Sequence, residues 1–187
     1  MKKINTKIPN LFVLEPTVHQ DERGFFVETY RKDVFSEIGI TKEFLQDNYS
    51  FSKKGVIRGL KFQFDKPTDK LVRVVHGSIF AVGVDIRPNS KTFGMWDSVE
   101  LSSNNHLAFY LPFGFAFGFC ALSDASVMYK LSAVHNEKGS GTILWNDPSI
   151  GITWPAESPV VSAGDQKAPT LKEWERSPSS KFFSDCT

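Results

Sequence analysis

Several polar residues stand inside stretches that otherwise read as apolar strand. They are Arg23 and Glu28 in DERGFFVE, the run Gln46, Asp47 and Asn48, Arg58 in IRGLKFQ, Lys70 in DKLVRVV, Tyr129 and Lys130 in MYK, and Asp165. A polar group withdrawn from water costs free energy unless it finds a partner. Such residues therefore mark either an inward-facing polar cavity or the solvent-facing sides of the strands, where Arg, Lys and Glu are ordinary. Along VIRGLKFQF the strand period puts Arg58, Leu60, Phe62 and Phe64 on one face and Ile57, Gly59, Lys61 and Gln63 on the other. Arg58 and Lys61 then point the same way only if a bulge intervenes.

Other chemistries lack their residues. His19, His76, His106 and His135 stand singly, with no HxH and no HxxxH. Metal ligation needs converging ligands, which strands offer at i and i+2, so these read as surface or hydrogen-bonded histidines and no metal is expected. Neither GxGxxG nor GxxxxGK followed by Ser or Thr occurs, and GxSxG is absent, which leaves dinucleotide, ATP and α/β-hydrolase chemistry without support. Cys120 and Cys186 form no CxxC or CxxH pair and read as free thiols.

The elements that must carry these side chains are mostly strands. Seventeen Phe with thirteen Gly and ten Pro favour β structure. Short β-branched or aromatic runs at 11–14, 25–30, 71–75, 78–86, 95–101, 107–111, 119–122, 126–131 and 142–145 alternate with turn clusters, which predicts an all-β sandwich or barrel. Residues 31–40 predict one amphipathic helix with Val34, Phe35 and Ile38 inward. The tail from about residue 169 predicts a short helix and then fraying. At 187 residues, a single domain spanning 1–187 is expected. A net charge of +1 gives no basic field for nucleic acid, and no stretch reaches the length of a transmembrane helix. The N-terminus has two lysines but no apolar run like that of a secretory signal, so a cytoplasmic location is expected.

The strings EPTVHQDERGFFVETY, FLQDNYSFSKKGVIRGLKFQ, KLVRVVHGSIFAVGVDIRPNSKTFGMW, YLPFGFAFGF, MYK, ILWNDPSIGITWP and VSAGD, in this order and spacing, resemble the dTDP-4-dehydrorhamnose 3,5-epimerase family. The resemblance runs from about residue 5 to 170. It implies a cupin-type jelly roll, a metal-free homodimer without a cofactor, and epimerisation beside the C4 ketone of a nucleotide-linked 4-keto-6-deoxyhexose in deoxysugar or surface-polysaccharide (O-antigen) synthesis. That reaction needs a base, an acid across the ring, and positive charge near the ketone oxygen. By motif, Tyr129 resembles the family's acid and Asp165 the carboxylate that orients the base. Lys70 resembles the lysine near the ketone or phosphates. Arg23, Glu28, Gln46, Asp47, Asn48 and Arg58 resemble the nucleotide- and sugar-binding positions.

The chain also departs from the family pattern. RGLKFQ puts Lys61 where the family's RGLHxQ has its basic histidine, and PFGFAFGF puts Phe117 where a histidine would contact substrate. Val134, His135, Ser140 and Gly164 replace aromatic and charged positions. Lys61 then serves as base, as polariser of the ketone, or not at all. A keto-sugar isomerase and a non-catalytic sugar-nucleotide-binding cupin remain the alternatives. The nucleotide and the carbon inverted are not fixed by the residues.

Overall fold

A computed structural model describes residues 1–184; Cys186 lies outside them. Two antiparallel sheets face one another. The first has the order β1 (Lys2–Asn5), β2 (Phe12–Glu15), β10 (Ala108–Leu111), β7 (Lys70–His76), β12 (Ala125–Leu131), β5 (Gln46–Ser52). The second has the order β13 (Ser140–Thr142), β6 (Val56–Gln63), β11 (Phe115–Ala121), β8 (Ser78–Asp85), β9 (Trp96–Ser102), and β14 (Val160–Val161) runs parallel to β6. A hairpin of β3 (Val18–Asp21) and β4 (Gly24–Val27) stands outside both sheets. This is the double-sheet, cupin-type jelly roll that the strand pattern and the resemblance predict.

Strand alternation sorts the apolar residues into layers. Val72, Val74, Ile79, Ala81, Phe109 and Phe115 point between the sheets. On the outer face of the second sheet, Leu60, Phe62, Val82 and Val84 meet Trp174 and Phe183. On the outer face of the first sheet, Phe12, Leu14 and Tyr110 pack under Phe35 of α1 (Lys32–Glu37). Phe35 is the fully buried member of that helix, whereas Val34 and Ile38 are only half-buried.

The C-terminal segment corrects the expected fraying. Thr170 and Glu173 form a capping box that starts α3 (Leu171–Arg176), and a 3-10 turn over Pro178–Phe183 follows. Phe183 is fully buried among Phe62, Phe113 and Trp174, so the segment is docked onto the barrel. Burying one such aromatic stabilises by roughly 2–3 kcal/mol, and Leu171 and Trp174 of the same segment are buried with it.

Candidate active site

Between the sheets lies a cavity of about 520 Å³, lined among others by Gln46, Asn48, Lys61, Gln63, Lys70 and Tyr129. Period two explains how β5 contributes. Gln46 and Asn48 point inward, while Asp47 points outward and pairs with Lys130 at 2.8 Å. Lys70 from β7 and Tyr129 from β12 enter from the same sheet.

β6 does not follow period two. Phe117 of β11 pairs with Lys61, and Phe119 pairs with Arg58, so three steps on β6 match two on β11. The extra residue is accommodated at Gly59, with φ +133° and the peptide to Leu60 cis. A Cβ on Gly59 would lie 2.5 Å from the Gly118 Cα, so only glycine fits there. The bulge therefore meets the condition that alternation alone leaves unmet. Arg58 and Lys61 share the inward face, while Leu60 and Phe62 remain in the outer core.

Lys61 and Asp165 meet across 104 residues of sequence, Nζ to Oδ1 at 2.7 Å. Asp165 sits on a four-residue helix, α2 (Ala163–Gln166), capped by Ser162, whose Oγ accepts from the Asp165 backbone N–H. Its other oxygen accepts from the Gly59 backbone N–H at 3.4 Å. The carboxylate is 3% exposed and the lysine side chain 57% exposed, so a buried negative charge is answered by an ammonium that faces the cavity. Thr142 Oγ1 lies 3.5 Å from the same amine.

Lys70 takes a different environment. Its amine crosses from the first sheet to donate to the Lys61 backbone carbonyl in the second, at 3.1 Å. Burial pushes it down to about 8, with neighbouring Asp69 pulling the other way. Burial pushes the Tyr129 phenol up, and the Arg58 cation partly offsets that, so the phenol is a neutral donor at neutral pH. Arg58 itself donates to Ser52 Oγ and the Phe51 carbonyl.

Two glutamines hold the loop at the cavity mouth. Gln46 Oε1 accepts from the His135 N–H at 2.8 Å, and Gln63 Oε1 accepts from the Asn136 N–H at 3.0 Å. The sequence singles out neither Gln63 nor Thr142 as a site residue. The available signal is that Gln63 stands two residues after Lys61 on the same face.

The remaining expected positions lie elsewhere. Arg23 is at the hairpin tip, paired with Asp21 at 2.6 Å, and Glu28 accepts from Arg31 at 3.3 Å; neither lines this cavity. Asp47 lines a separate cavity of about 670 Å³ on the outer face of the first sheet, with Phe25, Arg73, His106 and Lys130. Phe117 is buried in the core on the strand directly across from Lys61 and is not among the residues that line this cavity. Among the described residues no group of three or more His, Cys, Asp or Glu could hold a metal ion, and no helix is long and apolar enough to cross a membrane.

The arrangement offers proton transfer under positive charge. A phenol and two lysine amines share one cleft, and the cations can stabilise an oxyanion as it forms.

The family model described as dTDP-4-dehydrorhamnose 3,5-epimerase matches residues 5–173. A dTDP-4-dehydrorhamnose 3,5-epimerase from Salmonella typhimurium is 48% identical over 174 residues, covering 91% of this chain and 95% of that protein. A crystal structure of dTDP-6-deoxy-D-glucose-3,5-epimerase from Legionella pneumophila, in complex with dTDP-4-keto-L-rhamnose, superposes with a TM-score of 0.89 at 42% identity, over 91% of this chain and 93% of that one. A 3'-monoepimerase from Streptomyces bikiniensis in complex with dTDP-quinovose superposes with a TM-score of 0.87 at 30% identity, over 92% and 89%.

Proposed function

The chain belongs to the dTDP-4-dehydrorhamnose 3,5-epimerase family, and from that premise we propose how its own residues carry the reaction. The protein is an epimerase acting beside the C4 ketone of a nucleotide-linked 4-keto-6-deoxyhexose, in deoxysugar biosynthesis. Proton removal next to the ketone pushes charge onto its oxygen, and reprotonation from the other face inverts the carbon. We assign Tyr129 as the acid that returns the proton. Lys61, held by Asp165, is the ammonium that meets the developing oxyanion. Gln46 and Asn48, which line the cavity, hold the sugar end, with Arg58 on the same inward face beside Tyr129.

The observation that carries this reading is the convergence of Tyr129, Lys61 and Lys70 on one cavity, with Asp165 buried behind Lys61. The relatives' structures hold dTDP-linked sugars, which makes that nucleotide the first to try here. Surface-polysaccharide synthesis in the cytoplasm is the setting we propose. We also propose a homodimer, supported by apolar residues left in water on the hairpin and the edge strand β5: Phe25, Phe26, Tyr49 and Phe51 are each more than half exposed.

Proton NMR in deuterated water with dTDP-, CDP- and GDP-linked 4-keto-6-deoxyhexoses tests the reading. Loss of the C3 or C5 proton signal, with appearance of the inverted sugar, is expected. A ligand that binds but exchanges no proton would instead make this a sugar-nucleotide-binding protein.

A further inference from the structure

Lys61 and Lys70 are two lysines in one cavity with unlike partners. Lys61 has its charge engaged at 2.7 Å by a carboxylate that is 3% exposed and that has no other countercharge among the described residues. Among the described residues Lys70 makes no ion pair; its amine donates one hydrogen bond to a neutral carbonyl. An amine with that single bond can release its ammonium proton and still keep its place, which leaves a lone pair directed at the cavity. Its reach also matters. Both side chains start from the first sheet, but the Lys70 amine crosses the cavity to end against β6 in the second, which would set it across from Tyr129 for a ring bound between them.

Resting on the epimerase reading, we propose that Lys70, rather than Lys61, is the base that removes the substrate proton in this chain. The neutral Lys70 amine takes the proton from the carbon beside C4. The C–H electron pair becomes a C=C bond, and the carbonyl pair moves to oxygen, beside the Lys61 ammonium. Tyr129 then gives its phenol proton to the opposite face of the same carbon as the C=O bond re-forms. A Lys70 ammonium and a Tyr129 phenolate remain, and one proton passed between them through the water of the cavity restores both. No oxidant or further reactant enters. Burial of Lys70, which pushes it down to about 8, supports the neutral amine at working pH. The charged or titratable groups facing it are Lys61 from β6, Tyr129 from β12, His135 and Glu137 from the mouth loop, and Asp69 beside it in the chain.

The test follows deuterium incorporation at C3 and C5 of a dTDP-4-keto-6-deoxyhexose from pH 6 to 9.5, in wild type, Lys70→Arg and Lys61→Arg. Arginine keeps charge and donor but does not act as a base in this range. In wild type, exchange is expected to rise with pH to a plateau with a midpoint near 8. Lys70→Arg is expected to lose at least about 100-fold in exchange, with ligand affinity within a few-fold. Lys61→Arg is expected to keep the same alkaline rise. Persistence of exchange within tenfold in Lys70→Arg, or its loss in Lys61→Arg alone, overturns the proposal. If Lys70→Arg does not fold, the wild-type profile decides, since a rate independent of pH across 7–9 excludes Lys70 as base. A wild type that exchanges nothing overturns the epimerase reading itself, a result distinct from the others.

Discussion

Asp85 and Asp165 are both withdrawn from water, at 0% and 3% side-chain exposure, but their partners differ. Asp85 accepts from Arg87 Nε and Nη2 at 2.9 and 2.7 Å and from Ser90 and Thr92 hydroxyls at 2.6 Å each; Arg87 is itself buried, at 8%. The donors that meet it come from its own turn, the Arg87 backbone and guanidinium and the Ser90 and Thr92 hydroxyls. Asp165 accepts from one amine that stands in a cleft, and from one long backbone N–H. A buried carboxylate closed in by buried donors fixes a turn. One whose countercharge faces a cavity holds that charge ready for a ligand.

The largest effect that could break this contrast concerns stability. Asp85→Asn leaves the Arg87 guanidinium without its carboxylate, and denaturant unfolding should show a loss of about 3–5 kcal/mol, with exchange activity per folded molecule unchanged. Burial pushes Asp85 up, but the bonds from Arg87, Ser90 and Thr92 outweigh it and hold the group below the usual carboxylate range. Its stabilisation is therefore complete above pH ~4, the unfolded carboxylate value, and fades as pH falls through the lower folded value. Asp85→Asn should lack that acid-side decline; an identical decline would remove Asp85 as its source.

A smaller effect sharpens the contrast from the other side. Asp165→Asn frees a largely exposed lysine, so unfolding should change by no more than about 1 kcal/mol. Substrate exchange should fall roughly 10- to 100-fold if Lys61 takes the proposed oxyanion role, because its ammonium loses the carboxylate that anchors it. A stability loss as large as that of Asp85→Asn, with exchange intact, would place both acids in the same structural role.

Much of this was legible from residue order. Alternation in QDNYSFS separates Gln46 and Asn48 from Asp47, and the structure divides them that way. The grouping of all three as binding residues came from the family motif, which treats neighbours alike, whereas the pleat does not. The union of Arg58 with Lys61 was legible only as a condition. The bulge depends on a backbone contact between Gly59 and Gly118, residues that no local pattern brings together. Asp165 meeting Lys61 is likewise a tertiary event, announced by motif and not by spacing. The tail reads as a short helix at LKEWER, which the structure has, followed by a fraying end at polar SPSSK, yet Trp174 and Phe183 find an apolar surface on the outer face of the second sheet.

In the mechanism proposed above, Tyr129 and a lysine act from different faces of one ring. The direct measurement is Tyr129→Phe with a dTDP-4-keto-6-deoxyhexose in deuterated water, scoring exchange and inversion in the same proton NMR series. Inversion is expected to fall at least about 100-fold, with exchange by the base persisting and affinity little changed. Inversion at the wild-type rate, or exchange disappearing together with inversion, would contradict it.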